Sequence, residues 1–330
     1  MTETAQPVAD ARLGASGPAF APLVLGTNVL GWTADREASF AVLDAFVDGG
    51  GAALDTADGY SAWVPGHTGG ESERIIGEWA ESRGARDRVV IATKVSQHPE
   101  FRGLAAANIA AAADASLERL RTDRIDLYYA HFDDPEVPLE ETVGAFSALV
   151  DQGKVGAIGI SNYTPERIDE WFRVTEEHGF HRAVALQPHY NLVEREFEGA
   201  LRARAEREGL AVFPYFSLAK GFLTGKYRAL GDTTADGASV RARAAAEYLD
   251  ERGLAVLEAL DEIAESHAAP AAAVALAWLR QQASVSAPIA SARNVEQLRP
   301  LLASLALELG ADELARLTEA SAVSGLEASA

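Results

Sequence analysis

The sequence predicts an α/β protein, a (β/α)8 TIM barrel with extra helices and a long loop between strands 7 and 8. Three observations predict it. Apolar runs of strand length alternate with helical patterns along the chain, which implies a parallel sheet with right-handed crossovers. Eight such runs occur, six of them ending 26 to 39 residues apart between residues 55 and 215, the repeat expected of a closed barrel. The Gly-x-Gly-x-x-Gly turn that a doubly wound dinucleotide-binding sheet needs after its first strand is missing.

The expected strands are PLVLGT (22–27), ALDTA (53–57), VVIATK (89–94), IDLYYAH (125–131), VGAIGIS (155–161), AVALQ (183–187), LAVFPY (210–215) and VSAPIA (285–290). Between them, REASFAVLDAFVDGG carries apolar residues at i, i+3/i+4 spacing and stops at glycines. AAANIAAAADASLERLR is rich in alanine, the best helix former. PLEETVGAFSALVDQGK opens on Pro138 with Glu140 and Glu141 in its first turn, where acids suit the helix dipole. TPERIDEWFRVTEEHG starts Thr-Pro-Glu and ends on Gly179. The 75 residues from 215 to 290 must hold an extra loop and an extra helix. No linker, repeat or low-complexity stretch divides the chain, so residues 1–330 are expected to form one barrel domain, with residues 1–18 a loose N-terminal tail.

Composition narrows the function. The net charge is −20, from 29 basic and 49 acidic residues, which argues against a nucleic-acid partner. There is no cysteine, so thiolate metal sites and cysteine nucleophiles are excluded. No run reaches 18 apolar residues, so no membrane span is expected. The start, MTETAQPVADARLG, lacks a basic region followed by an apolar core, and the expected location is cytoplasmic.

In a barrel of this kind, catalytic groups gather at the carboxyl ends of the strands. The residues found there are Asp55, Lys94, His131, Ser161 with Asn162, Gln187 and Tyr215, with Tyr60 five residues after Asp55. Taken singly, each is most simply a loop hydrogen-bonder. Together they permit proton transfer by a phenol. A tyrosine titrates near ~10 unperturbed, and a neighbouring ammonium favours tyrosinate. A carboxylate keeps that ammonium in place, and a histidine orients a substrate oxygen. Such groups supply no electron pair, so a hydride donor, a nicotinamide, is implied. A metal-dependent hydrolase is a poorer reading of Asp55, Asp58 and His131, because Lys94 at the same rim would repel the metal and no His-x-His pair follows the first strand; no metal site is expected.

These motifs resemble the aldo-keto reductase family, in particular its bacterial, channel-β-subunit-like and aryl-alcohol-dehydrogenase-like members. LDTADGY with GGESERIIGEW, VVIATK, IDLYYAH, GKVGAIGISNY, LQPHYNL, LAKGFLTGKY and IASARNVEQL follow in that family's order from about Leu25 to Leu298. The resemblance implies an NADPH-dependent carbonyl reductase whose tetrad is Asp55, Tyr60, Lys94 and His131. Tyr60 would be the general acid, Lys94 would lower its pKa, Asp55 would pair with Lys94, and His131 would seat the carbonyl. NADP(H) would lie across the barrel mouth. Ser161, Asn162 and Gln187 match the nicotinamide carboxamide contacts, and Tyr215 the ring on which the nicotinamide stacks. Ser217, Leu218, Gly221 and Lys226 match the pyrophosphate strap, and Ser291, Arg293 and Gln297 the 2′-phosphate and adenine site. Arg293 can hold a phosphate bidentately, which favours NADP over NAD.

The chain departs from that pattern in two places. The strap reads Tyr215-Phe216-Ser217-Leu218 where relatives often have Tyr-Ser-Pro-Leu, which puts Phe216 beside the cofactor. The C-terminal motif ends Pro300-Leu301 rather than Glu-Asn, so the asparagine expected at the adenine is absent. Trp32, Trp63 and Phe132 are candidates for a substrate-pocket wall. Asp58 is expected to shape the turn before Gly59. Specificity is expected in the loops 28–36, 61–70, 97–103 and 227–249, the last closing over the site. The expected partner is a small-molecule carbonyl substrate, and the expected state a monomer or small homo-oligomer. A second reading, from the channel-subunit likeness, is a regulatory subunit that binds NADPH with little turnover.

Overall fold

A computed structural model describes residues 11–14, 17–234 and 240–322; the side chains of residues 234, 240 and 241 are also outside the description. Eight parallel strands run Val24–Gly26, Ala53–Asp55, Val90–Val95, Leu127–Ala130, Ile158–Ser161, Ala183–Gln187, Ala211–Val212 and Ile289–Ala290. From first to seventh each pairs with the next in sequence, and the eighth returns beside the first. A bridge between Val212 and Val285, with Ser286 N–H to Val212 O (2.8 Å) and Ile289 N–H to Pro214 O (2.9 Å), joins the seventh strand to the eighth-strand segment and closes the ring. All eight expected strands are present: Ala183–Gln187 has the expected bounds, Val90–Val95 is shifted by one residue, and the other six are shorter. Pro214 and Pro288 lack a backbone N–H and cannot continue a ladder, so the last two strands shrink to two residues each.

Helices follow the strands as the sequence patterns require. Arg36–Asp48 is capped by Asp35, whose carboxylate accepts from Ala38 N–H (2.9 Å), and buries Phe40, Val42, Leu43 and Phe46. Pro165–His178 begins under a Thr164 cap with proline in its first turn and ends at left-handed Gly179. The long interval after the seventh strand holds a 3-10 segment at Ala219–Thr224 and the helices Glu251–Ser266 and Ala271–Arg280. Residues 235–239 of the expected closing loop lie outside the described residues. No helix among the described residues is long and apolar enough to cross a membrane.

Two apolar layers result. The larger lies between strands and helices, where Phe46, Trp79, Phe146, Trp171 and Trp278 pack. The smaller fills the barrel's interior with Leu13, Phe20, Val24, Ala53, Leu127, Tyr129 and Phe213. Of the expected loose tail, residues 1–10, 15 and 16 lie outside the described residues. Ala11–Arg12, by contrast, is a strand paired antiparallel with Ala19–Phe20. Ala11, Leu13 and Phe20 are buried there, and that apolar burial orders the segment. Gly159 makes room at the barrel's centre, since a Cβ on it would meet the Tyr129 ring at 2.4 Å.

Candidate active site

Asp55 ends the second strand, Lys94 lies on the third, and His131 directly follows the fourth. Register puts Asp55 beside Ala92 and Lys94 beside Tyr129, so strand pairing alone brings the groups to one rim. The Lys94 side chain is 0% exposed and that of Asp55 4%. Lys94 Nζ donates to Asp55 Oδ2 (2.7 Å), to the Thr56 carbonyl (2.7 Å) and to the Tyr60 hydroxyl (3.0 Å). All three ammonium protons are therefore placed. Burial alone pushes Lys94 down, but Asp55 and Tyr60 outweigh it and hold its pKa above the usual lysine value. For Tyr60 the balance differs from the expectation. Burial raises the phenol's pKa, and Lys94 offsets this only in part, so the net shift is upward.

His131 sits beside Tyr60, ring centroids 6.3 Å apart and nearly perpendicular. Burial, and then the Lys94 charge, hold its pKa well below the ordinary histidine value, so the ring is neutral at pH 7. Its Nδ1 is buried without a partner. A buried orphan N–H is rarer than an orphan acceptor, so the ring proton belongs on Nε2.

A cavity of about 790 Å³ opens above these groups, and Asp55, Tyr60 and His131 form part of its wall. Ser161, Asn162, Gln187 and Tyr215 line it on one side. They are already linked: Ser161 Oγ donates to Gln187 O (2.9 Å), Asn162 Nδ2 to His131 O (2.9 Å), and the Tyr215 hydroxyl to Asn162 Oδ1 (3.0 Å). Asn162 holds a left-handed φ of 57°, a conformation asparagine tolerates better than most residues. Phe216, Ser217, Leu218, Gly221 and Lys226 line the next part. That strap turns through left-handed backbone at Phe216, Ala219, Lys220 and Gly221, and only the last has no Cβ to strain. Ser291, Arg293 and Gln297 line the far end, where Leu301 and Pro300 add apolar wall. Gln297 Oε1 accepts from the Arg293 backbone N–H at 3.2 Å. Neither Lys226 nor Arg293 has an ion-pair partner among the described residues.

At the mouth, Trp63 (54% exposed) and Phe132 (42% exposed) line the cavity. Trp32 does not reach the wall. It packs edge-to-face against Trp63 at 5.5 Å and braces it. Asp58 is fully buried with neither carboxylate oxygen partnered. Its backbone N–H donates to Lys94 O at 3.2 Å, which holds the turn before Gly59. Burial, and then the nearby Glu73, raise its pKa well above the carboxylate range.

The Aldo/keto reductase family model matches residues 22–322. The chain belongs to the aldo/keto reductase family. Norsolorinic acid reductase stcV of Emericella nidulans is 32% identical over 316 residues, 91% of this chain and 78% of its own. The uncharacterized oxidoreductase YrpG of Bacillus subtilis is 33% identical, covering 93% of this chain and 94% of its own. Protein tas of Escherichia coli is 30% identical, covering 89% and 92%. An oxidoreductase of the carbonyl-reducing kind is what this family provides.

In this aldo/keto reductase the cavity is also bordered by residues that sequence reasoning passed over. His189 stacks face-to-face behind Tyr215 (5.1 Å, 12°). It stood in the quoted LQPHYNL segment, but a histidine two positions after a strand-end glutamine carries no signal of its own. Lys220 lines the cavity and pairs with Glu247, which lies beyond residues 235–239. Asn28 reaches Ser291 (3.1 Å) across the start of the first loop.

Proposed function

We propose that this aldo/keto reductase is an NADPH-dependent carbonyl reductase in which Tyr60 is the general acid. The observation that carries the reading is the use of Lys94's three protons. The ammonium is spent on Asp55, Thr56 and Tyr60, so the Tyr60 oxygen already accepts one bond, and its own proton, held only by a long 3.5 Å contact to Asp55 Oδ2, can pass to a substrate oxygen. The neutral His131 offers a second donor through Nε2, and two donors can polarise one carbonyl.

The donor set suits a phosphorylated dinucleotide. Lys226 and Arg293 supply positive charge inside a protein of net charge −20, where it is otherwise scarce. Tyr215, backed by His189, presents a flat ring, and Ser161, Asn162 and Gln187 present amide and hydroxyl groups beside it. When bound, NADPH would supply the hydride that no side chain can. Arg293 favours the 2′-phosphorylated form because a planar guanidinium matches phosphate. The aromatic mouth of Trp63, Phe132 and Phe216 suits an aldehyde or ketone with a flat, apolar body.

The pH dependence follows from Tyr60. Reduction needs the phenol protonated. A pKa above the ordinary tyrosine value keeps it so through neutrality, and reduction falls only as pH rises through that value. Alcohol oxidation needs tyrosinate and rises over the same range. Incubation with NADPH and a panel of aromatic and aliphatic aldehydes tests the proposal by loss of nicotinamide absorbance. Tyr60→Phe is expected to lower turnover by about 10²–10⁴-fold with NADPH affinity nearly unchanged. Tight NADPH binding without turnover of any carbonyl would overturn the enzyme reading in favour of a regulatory subunit.

A further inference from the structure

Asp55 has two oxygens, and each is claimed from a different side of the barrel. Lys94, on the adjacent strand, takes Oδ2 at 2.7 Å. Gln187, on the sixth strand and 132 residues away in sequence, donates Nε2–H to Oδ1 at 2.8 Å. Asp55 and Gln187 are both 3% exposed. The Gln187 main-chain carbonyl accepts from Ser161 Oγ. An ionised carboxylate only accepts hydrogen bonds, so the amide must keep its nitrogen toward Asp55. Its oxygen is the acceptor left over.

We infer that Gln187 is a positioning residue for proton transfer, acting on Tyr60 through Asp55 and Lys94. This rests on the reading of Tyr60 as the proton donor. Loss of the amide leaves Oδ1 buried without a donor, and such a group costs more than a hydrogen bond contributes. The carboxylate then has to draw more on Lys94, the closer of its remaining side-chain donors. Its negative charge, no longer shared with Gln187, also acts more fully on the phenol, which lies 3.5 Å from Oδ2. Both effects favour the protonated phenol. Two hydrogen-bonded runs meet at Gln187: one from Tyr215 through Asn162 and Ser161 ends on its main-chain carbonyl, and one from its side-chain amide passes through Asp55 and Lys94 to Tyr60.

The test needs no turnover. Tyrosine labelled with 13C at Cζ reports each phenol's titration by NMR in the ligand-free protein, and Tyr60→Phe assigns the Tyr60 signal. Gln187→Met, similar in shape but without a donor, is expected to move the Tyr60 titration to higher pH. Gln187→Asn, whose amide falls one methylene short, moves it the same way and serves if the methionine variant does not fold. In an Asp55→Asn background neither change has a further effect, because the route through Asp55 is gone. An unmoved Tyr60 titration in Gln187→Met, or a shift that adds fully to that of Asp55→Asn, overturns the inference and leaves Gln187 as a cavity wall alone. NADP+ affinity, measured by fluorescence quenching, separates the wall from the positioning role. If the titration shifts as expected while no carbonyl is reduced, the proposed activity falls and the coupling stands.

Discussion

Charge at single residues decides what this site can do. Lys94 survives full burial as an ammonium because three acceptors surround it, and removing either charged partner strands the other in low dielectric. Asp58 is the opposite case, a carboxyl buried with no partner and a pKa raised well above its unfolded value. The sign follows directly. Below about pH 4 both states hold the proton and no penalty exists. Above it the unfolded chain releases the proton while the folded chain keeps it, so stability falls as pH rises toward the folded value. Asp58→Asn, neutral and isosteric, removes that slope. The difference in melting temperature between variant and parent is expected to grow from pH 4 to pH 8 in favour of the variant. At the far end of the cavity, Arg293→Ala is expected to raise KM for NADPH by about tenfold or more, a single charge-assisted pair. KM for NADH should stay nearly the same. Equal loss with both cofactors in initial-rate assays would place Arg293 away from the 2′-phosphate.

Among the elements, the loop after the second strand carries backbone strain beside the site. Ser61, next to Tyr60, holds a left-handed φ of 71°, and its hydroxyl is buried without a partner. Both features cost free energy and persist because the surrounding structure dictates them. Ser61→Gly removes the Cβ penalty and the orphan hydroxyl together. Relief of left-handed backbone and of a buried polar atom is each worth about 1 kcal/mol. Glycine's greater freedom in the unfolded chain returns roughly 0.5–1 kcal/mol of that. A net gain of about 1 kcal/mol in urea unfolding is expected. An equal or larger loss would show that the serine holds the loop in a way its geometry does not reveal. The strand ends show the same division between sequence and structure. The fourth strand was expected to run to His131 but its ladder stops at Ala130. His131 N–H still bonds Val95 O at 3.1 Å, so the residue stays at the rim.

At the scale of the molecule the two ends of the barrel have separate tasks. The loop end carries Tyr60, His131 and the cavity. The other end is closed by the paired strands Ala11–Arg12 and Ala19–Phe20, where Phe20 stacks on Phe213 at 6.2 Å within the interior layer. Phe20→Ala is therefore expected to lower stability by about 3–5 kcal/mol in chemical denaturation, while KM for carbonyl and cofactor in the folded enzyme stay unchanged. A large change in KM with intact stability would mean that the two ends are coupled through the interior.

Strand-length runs, their alternation with helical patterns and their regular spacing determined the barrel, because periodicity records burial and the eight barrel strands are buried along nearly all their length. Residues at strand ends were legible for the same reason: a polar group interrupting a buried run must have something to do. Pairings that cross the barrel were not legible. The bond between Gln187 and Asp55, the stack of His189 on Tyr215, and the bracing of Trp63 by Trp32 join residues from separate loops or strands, and no local pattern encodes them. The upward shift of Tyr60 was likewise out of reach, since it is set by how deeply the phenol is buried against how close Lys94 lies. The sequence alone determined the strands and the residue types at their rim. Only the closed barrel decided how deeply the Asp55–Lys94 pair is buried and which amide holds it, because its curvature sets those distances and its interior excludes the water that would otherwise screen them.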